Sequence, residues 1–468
     1  MRSWRAVAAT MLSAVLLLVA AAGLAQTPGG TAAAPQVSPQ AAEQIARGFE
    51  LLGRNDASAA EAAFRQAIEV QPEAELAHRG LGLALRGQGK LAAALRELET
   101  ATRLDPNDAD AYYALGELAW TLSARSLPGQ TSNSSFSPAD YRDLATGAFQ
   151  KALALRPKDA TLRLNLTELY LQAGRGQAAL SEAQEAVRLA PENSAAHLAL
   201  GRAYFAVGEE EQAASQYESA LKLDPKEGAA YLGLGQLRLR QRRYTEAEAA
   251  FRHAIEVSPQ MATAYVALAQ VLVQDGHGAE ARSLFEKAVA LDPQDWESQY
   301  QLARLLMQAG EVDRATRIFG QVARAHPEFL PAREQLALGL LRRGDVKSAS
   351  AQAEAMLAQD PRAPEGHRLM ALVLRKQPDL ETSLSECAQV LASDPNDPAM
   401  LALQALELWQ LGQKRPAQQA YRQAAKVEPQ VGSSDVFCRL IVCDARDIGP
   451  VTEFLHKNRW VLEPAFNP

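Results

Sequence analysis

Histidine and cysteine are the side chains of this protein most able to bind a metal ion or take part in catalysis. The sequence holds seven histidines and three cysteines. His78, His197 and His367 lie far apart, and there is no His-x-x-x-His pair, P-loop, Gly-x-Ser-x-Gly motif or dinucleotide-binding fingerprint. We therefore expect no metal, no cofactor and no catalytic residue, and predict that the protein is not an enzyme.

Cys438 and Cys443 are close enough in sequence to react with each other. On one continuous α-helix, residues five apart point about 140° apart, so a disulfide requires the helix to break between them. An oxidising compartment would permit that bond, which stays an open alternative. A metal site is disfavoured because no histidine or third cysteine is near. Cys387 falls in an apolar column and is expected to be inert.

The composition is that of a folded soluble protein, with 47% apolar and 22% charged residues among 468. Aromatic residues make up only 6% while alanine is abundant, which favours many close helix–helix contacts over one thick core. The formal net charge of −7 gives no reason to expect a nucleic-acid partner, since phosphate-binding proteins usually carry a basic face.

The N-terminus has the features of a secretory signal peptide. Arg2 and Arg5 precede an uncharged run from Ala6 to Ala25, whose last residues are the small ones that signal peptidase prefers. We predict a signal peptide over 1–25 and export to the periplasm or beyond. The alternative is an uncleaved anchor in the inner membrane, because the run is nearly long enough to span a bilayer. Residues 26–40 are rich in Pro, Gly and Ala and uncharged, which predicts a flexible linker.

Eleven prolines mark an internal repeat. Nine of the ten intervals between them are 34 residues long and the third unit holds 17 more, which predicts eleven repeating units with an insertion at about 123–139. We number each unit so that its proline is position 32. These prolines are Pro72, Pro106, Pro157, Pro191, Pro225, Pro259, Pro293, Pro327, Pro361, Pro395 and Pro429.

Each unit has the pattern of two antiparallel helices, which we call A and B. Apolar residues at positions 4, 7, 8 and 11 form one helical stripe, and those at 20, 24 and 27 form another. Glycine usually occupies position 15, where it ends helix A, and the proline follows helix B. Position 8 holds only Gly, Ala or Thr, and position 20 only Ala or Ser, so the two helices can approach closely. A bulky residue such as Phe251 usually occupies position 24.

This pattern of small, aromatic and proline positions resembles the tetratricopeptide repeat (TPR) family, over residues 41–429. The resemblance implies an all-α solenoid, a right-handed superhelix of about eleven helix-turn-helix repeats. Val322, Met356 and Val390 at position 27, Cys387 at position 24 and Pro378 at a turn depart from it, so units eight to ten are expected to pack less regularly. The segment 430–468 is predicted to cap the last repeat with two short helices, about 435–445 and from Gly449-Pro450, followed by Trp460.

The resemblance also implies a binding surface. In the family, positions 2, 5, 9 and 12 of helix A point into a concave groove that holds a partner. We expect Arg202 and Arg304 to pair with carboxylates of an amphipathic partner segment, although superhelical coiling could instead cover these side chains. The candidate residues are Leu198, Arg202, Phe205, Leu232, Gln236, Leu239, Val266, Gln270, Val273, Tyr300, Arg304 and Met307.

Two specialised TPR functions are disfavoured. Chaperone-binding members clamp a terminal carboxylate with a Lys-x-x-x-Asn pair, which this chain lacks, and sugar-transferring relatives carry an asparagine ladder that only Asn165 fits. We therefore expect a non-catalytic scaffold of the bacterial cell envelope that binds a protein or peptide in its groove. The alternatives are a membrane-anchored assembly factor, if the N-terminal segment is retained, and a polysaccharide-export or secretion-machinery component. Self-association stays open.

Overall fold

The computed structural model describes residues 37–125, 137–377, 379–443 and 445–458, except for the side chains of residues 125 and 445–447. The predicted signal peptide, the linker up to residue 36, the centre of the insertion at 126–136, Pro378 and Trp460 lie outside the described residues. Within the ranges described, every regular element is a helix and none is a strand. The prediction of an all-α fold built from successive helices is confirmed.

The chain divides into two compact units, of which the first ends at Ser258. Six A/B helix pairs build this first unit, with odd-numbered helices as A and even-numbered ones as B. They are α1 (Pro39–Gly53), α2 (Ala57–Val70), α3 (Glu75–Gly87), α4 (Leu91–Leu104), α5 (Ala109–Arg125), α6 (Pro138–Leu155), α7 (Ala160–Gln172), α8 (Gly176–Leu189), α9 (Ser194–Val207), α10 (Glu210–Leu223), α11 (Gly228–Arg240) and α12 (Tyr244–Val257).

The second unit begins at Pro259 and holds five further pairs and the C-terminal helices. The pairs are α13 (Ala262–Gln274), α14 (Gly278–Leu291), α15 (Trp296–Gln308), α16 (Val312–Ala325), α17 (Leu330–Arg342), α18 (Val346–Gln359), α19 (Pro364–Arg375), α20 (Leu380–Ser393), α21 (Pro398–Gln410) and α22 (Lys414–Val427). After them come a 3₁₀ turn (Pro429–Gly432), α23 (Ser434–Leu440) and α24 (Ala445–Asn458).

The ends of the first helices differ slightly from the predicted boundaries. Helix α1 begins at Pro39, within the stretch predicted as linker, because the Ser38 hydroxyl accepts the N–H of Ala41 and proline suits the first turn. Helix α5 continues to Arg125 and α6 starts at Pro138, capped by Ser137. The two ends of the predicted insertion are therefore helical.

Position 15 of the repeat ends helix A in the left-handed conformation. Gly208 has φ 86°, and glycines hold this position in six other repeats. Asn55 (φ 62°) and Arg242 (φ 61°) replace glycine at the same position and adopt the same conformation. A side chain at positive φ is strained in most contexts, so the turn geometry, rather than the residue, is what the repeat keeps constant.

Contact between positions 8 and 24 explains the small-residue column. A Cβ placed on Gly235 would lie 2.4 Å from the ring of Phe251, and one on Gly201 would lie 2.7 Å from Tyr217. The same Tyr217 ring meets Gly233 of the next repeat, where a Cβ would lie 2.6 Å away. Each such ring is thus held between two backbones, one from its own repeat and one from the next.

In repeats that lack the aromatic residue at position 24, a larger side chain at position 8 or 27 occupies part of its space. In the fourth repeat Thr167 replaces the small residue at position 8, and position 24 is Ala183; both are buried. In the ninth and tenth, Met356 and Val390 at position 27 are 0% exposed, and position 24 is only Ala353 or Cys387. Conserving total volume in this way keeps a helix pair packed without its aromatic residue.

A polar clamp recurs at position 4, whose side chain bonds the carbonyl of the proline six residues earlier. Arg163 donates to Pro157 O (2.9 Å) and also to Glu182 Oε2 (2.6 Å), which lies at position 23 of its own repeat. We call this arrangement the position-4 clamp. It joins helix A, helix B and the preceding turn. The same proline carbonyl bond is made by His78, His197, Tyr265, Gln299 and His367.

The C-terminal helices pack on the last repeat. The ring of Phe454 in α24 lies 5.1 Å from that of Tyr421 in α22, between centroids, and 5.6 Å from that of Phe437 in α23. All three rings are buried. Helix α24 begins at Ala445, earlier than the predicted start at Gly449, and contains Pro450 in its second turn.

The chain reverses between the two cysteines of this segment. Helix α23 ends at Leu440, and Val442 adopts φ 54°. The helix break that a disulfide needs is therefore present. Cys438 and Cys443 are joined by a disulfide across it, with their Cα atoms 4.7 Å apart, and Cys387 is a free, buried thiol.

Candidate partner-binding face

Several A helices of neighbouring repeats contact one another, as α7 does α9 and α9 does α11 in the first unit, and α17 does α19 in the second. We call the surface formed by positions 2, 5, 9 and 12 of these helices the A-face. Position 9 is exposed in repeats five to eight: Arg202 and Gln236 occupy it in the first unit, and Gln270 and Arg304 occupy it in the second. Beside it, Leu198 and Leu232 at position 5 are half-buried.

In the first unit, Arg202 already has a carboxylate partner within the protein. Its guanidinium pairs with Glu168 of the preceding A helix, with Nη2 3.3 Å from Glu168 Oε1. Both residues occupy position 9 of their repeats. Glu168 therefore neutralises Arg202 in this structure, and the pairing of Arg202 with a partner carboxylate stays a prediction.

Phe205 is likewise engaged by a neighbouring repeat. The guanidinium carbon of Arg240 lies 4.1 Å above the centroid of the Phe205 ring, and Arg240 donates a hydrogen bond to the Phe205 carbonyl (3.1 Å). A cation over an aromatic face is attracted by the ring quadrupole. Phe205 and Leu239 remain half-buried, so they present only part of their apolar surface.

Glu117 and Glu168 are A-face residues that the sequence analysis missed. Glu117, also at position 9, accepts hydrogen bonds from Arg86 (2.7 Å) and from the hydroxyl of Tyr113 (3.0 Å). Burial, with Glu117 as a lesser cause, raises the pKa of Tyr113 to about 12, so this hydroxyl stays protonated. Following position 9 into the third and fourth repeats would have identified both acids.

In the second unit, Arg304 lies differently from Arg202. Its guanidinium is exposed and donates to the neutral side chain of Gln301 at 3.2 Å. Among the residues described, no carboxylate forms an ion pair with it. On the preceding A helix, α13, Val273 is 44% exposed, a large value for an apolar side chain, and Val266 is half-buried. The A helices of this unit therefore carry an exposed positive charge that has no acidic partner among the described residues, and they also carry exposed apolar surface.

Tyr300 and Met307 lie at the buried margin of the same face. The Tyr300 ring packs edge-on against Phe319 (5.6 Å) and Phe329 (5.0 Å), and burial raises the pKa of its hydroxyl. Met307 is only 8% exposed, and its methyl group points at Gly339 of α17. Met307 was expected to face the groove; instead it fills the contact with the next A helix and leaves little surface for a partner.

Models of one repeat family match most of the chain between residues 45 and 431. Three family models are described as "tetratricopeptide repeat". The first matches residues 45–95, 142–194 and 198–262, the second 272–338 and 309–373, and the third 398–431. A fourth model, described as "TPR repeat", matches residues 82–122. The chain belongs to the tetratricopeptide repeat family. TPR proteins act as interaction scaffolds and bind protein or peptide partners.

Several solved TPR structures are similar to this protein. YrrB, described as a TPR protein with an unusual peptide-binding site, is 22% identical over 44% of this chain and 96% of its own, with a TM-score of 0.35. PilF of Pseudomonas aeruginosa is 21% identical over 45% and 96%, with a TM-score of 0.41. A repeat protein from Parabacteroides merdae is 19% identical over 65% and 100%, with a TM-score of 0.40. The comparison with curated proteins gave no match.

The described part of the TPR protein has neither a helix long and apolar enough to cross a membrane nor a group of three or more His, Cys, Asp or Glu side chains placed to hold a metal ion.

The predicted partner-binding residues fall into two sets, one in each unit. Leu198, Arg202 and Phe205 lie on α9 next to Leu232, Gln236 and Leu239 on α11. Val266, Gln270 and Val273 lie on α13, with Tyr300, Arg304 and Met307 on α15.

Proposed function

We propose that this TPR protein is a non-catalytic scaffold that holds an amphipathic segment of a partner protein on the A-face of its second unit. The proposal is carried by the exposed Arg304, which bonds only the neutral Gln301 among the described residues, and by the exposed Val273 at position 12 of the preceding A helix. An exposed guanidinium binds a carboxylate through two parallel hydrogen bonds, while neighbouring apolar surface takes the segment's aliphatic side chains.

The first unit is a weaker candidate for this contact. The pairing of Arg202 with Glu168 would have to be broken before a partner carboxylate could bind there, and breaking it leaves Glu168 without its cation. Gln236 is exposed and can hydrogen-bond a partner backbone, but it supplies no charge. We therefore assign charge recognition to Arg304 and a supporting role to the neutral residues.

A peptide-display selection on the whole chain tests this proposal. Peptides retained by the wild type and released by Arg304→Gln are expected to carry an acidic residue flanked by aliphatic ones. Arg202→Gln is the matched control, because it removes the same charge from the same repeat position. A set of peptides without acidic residues, or one bound equally by the Arg304 variant, would contradict the proposal.

We also propose that the protein is exported into the bacterial envelope. Two features support this: the charged and apolar pattern of residues 1–25, and the disulfide between Cys438 and Cys443, a bond that persists in oxidising compartments. N-terminal sequencing of the protein from its native envelope should give a chain that begins at Gln26. An intact N-terminus in the membrane fraction would favour the anchored alternative, and an intact N-terminus in the cytoplasm would refute export.

A further inference from the structure

The ninth repeat has lost its position-4 clamp. Arg333 occupies position 4, Gln352 occupies position 23, and Pro327 is the proline six residues before Arg333. In the fourth repeat the equivalent Arg163 bonds both corresponding partners. Within the described residues, Arg333 makes neither of these bonds and its guanidinium forms no ion pair; its Nε is buried with no hydrogen-bond partner, as is that of Arg163.

A cleft of about 640 Å³ opens where this clamp would have closed. Arg333 and Gln352 line it from α17 and α18, and Pro327 from the turn between α16 and α17. Gly320 of α16 widens the opening. It occupies position 25, which carries a longer side chain in most other repeats, and a Cβ there would meet only Leu336, at 3.6 Å. The cleft is therefore a local departure from the repeat.

Four arginines line this cleft and no acidic side chain does. Arg317 and Arg324 each bond a backbone carbonyl of their own helix through Nε, to Asp313 O (3.4 Å) and Gly320 O (2.9 Å). Arg343 pairs with the Asp313 carboxylate, with its Nε 2.8 Å from Oδ1. The charges of Arg317, Arg324 and Arg333 are not balanced by any ion pair among the residues described.

We propose that this arginine cleft binds the phosphate groups of a phosphorylated small molecule. Guanidinium groups form paired, charge-assisted hydrogen bonds with phosphate oxygens, and three unbalanced cations match a group with more negative charge than a single carboxylate carries. The cleft volume leaves room for more than one phosphate. Its walls at Leu336, Ala323 and Pro327 give an apolar surface for the rest of the molecule.

This inference is independent of the partner-binding proposal. Arg304 on α15 does not line the cleft, and no cleft arginine lies at position 2, 5, 9 or 12 of an A helix. The cleft and the residues assigned to partner recognition therefore share no side chain. A failure of the peptide experiment would therefore leave the cleft untouched, and the reverse also holds.

Isothermal titration of the whole chain with inorganic pyrophosphate tests the cleft. We expect saturable binding that weakens as salt is raised, because exposed charges are screened. Arg324→Gln and Arg333→Gln should each weaken binding by about tenfold, the loss of a charge-assisted hydrogen bond. Gly320→Met should abolish it by filling the cleft. Arg188→Gln is the matched control for Arg324, since both lie at position 29, and should leave binding unchanged.

Phosphatidylcholine vesicles with and without phosphatidic acid identify the source of the phosphate. Binding of pyrophosphate in solution without capture by the acidic vesicles supports a free small molecule. Vesicle capture that Arg324→Gln and Gly320→Met abolish would replace the small molecule with a lipid headgroup and overturn that part of the proposal. No pyrophosphate binding, or binding that survives Gly320→Met, would overturn the site itself. Unchanged circular dichroism of each variant guards against misfolding.

Discussion

At position 8 of the repeat the first unit uses glycine in five of its six helix pairs, whereas the second unit uses alanine in all five of its pairs. The glycines let aromatic rings rest directly on the backbone. A parallel difference holds for the polar positions. Arg163 and Arg202 of the first unit have carboxylate partners, whereas Arg333 and Arg304, at the equivalent positions of the second unit, pair with none among the described residues.

The comparison suggests a division of roles between the two units. Polar side chains that form hydrogen bonds or ion pairs within the protein stabilise the stacked helices, but their donors and charges are not available to a ligand. A guanidinium without an acidic partner contributes less to stability and remains available for binding. The same repeat framework can thus serve either purpose, depending on what occupies positions 4, 9, 23 and 25.

The largest expected effect concerns the close packing of the first unit. Gly235→Leu should lower the free energy of unfolding by about 2–3 kcal/mol, because the new side chain collides with the ring of Phe251. Chemical denaturation followed by circular dichroism measures the loss. Gly147→Leu in α6 is the control, since a Cβ there meets nothing within 4 Å and leucine favours a helix. Equal losses in the two variants would contradict the packing explanation.

The core of the second unit carries a buried acid, which gives it a pH dependence. Glu407 is 0% exposed and accepts a hydrogen bond from Ser383 (2.6 Å), and burial raises its pKa to about 7. The unfolded chain releases this proton nearer 4.5, so the folded chain binds more protons between the two values. Stability should therefore fall as pH rises from 4.5 to 7, by on the order of 2 kcal/mol.

Glu407→Gln tests that dependence. Glutamine keeps an acceptor for Ser383 but cannot ionise, so the decline in thermal stability between pH 4.5 and 7 should be shallower in the variant than in the wild type. Glu386→Gln is a useful comparison, because it removes a carboxylate from the preceding helix pair, at the clamp of His367. Identical pH profiles for wild type and Glu407→Gln would show that folding does not raise the pKa of Glu407.

A smaller effect distinguishes the closed clamp from the open one. Arg163→Gln removes the charge-assisted bond to Glu182 and should destabilise α7 and α8 by about 1 kcal/mol. Arg333→Gln breaks no ion pair and should change stability by less than about 0.5 kcal/mol. Amide hydrogen exchange of the two repeats measures both. A larger loss for Arg333→Gln would mean that this arginine is structural and would weaken the case for the cleft.

The fold could be predicted from the sequence because its information is periodic. The prolines and the small residues at positions 8 and 20 each act within one or two repeats and recur eleven times, and glycine recurs at position 15 in seven repeats. Asn55 and Arg242 could be placed at the same turn only by alignment, since neither residue type favours positive φ as glycine does.

The polar network was much less predictable. Whether Arg202 is free depends on Glu168, a residue 34 positions away, and whether the ninth clamp closes depends on the identities of residues at positions 4 and 23 together. Met307 is apolar and lies at a groove position, yet it is buried because Gly339 of the next A helix, α17, leaves space for it. Such outcomes are set by pairs of side chains on different helices, which a single column of the repeat does not reveal.

The most direct test of the account is the affinity of a display-selected acidic peptide for three forms of the whole chain, measured by titration calorimetry. The account predicts that Arg304→Gln weakens binding by about tenfold, the loss of one charge-assisted pair, and that Arg202→Gln leaves it unchanged. Weakened binding to Arg202→Gln with undiminished binding to Arg304→Gln would contradict the assignment of recognition to the second unit.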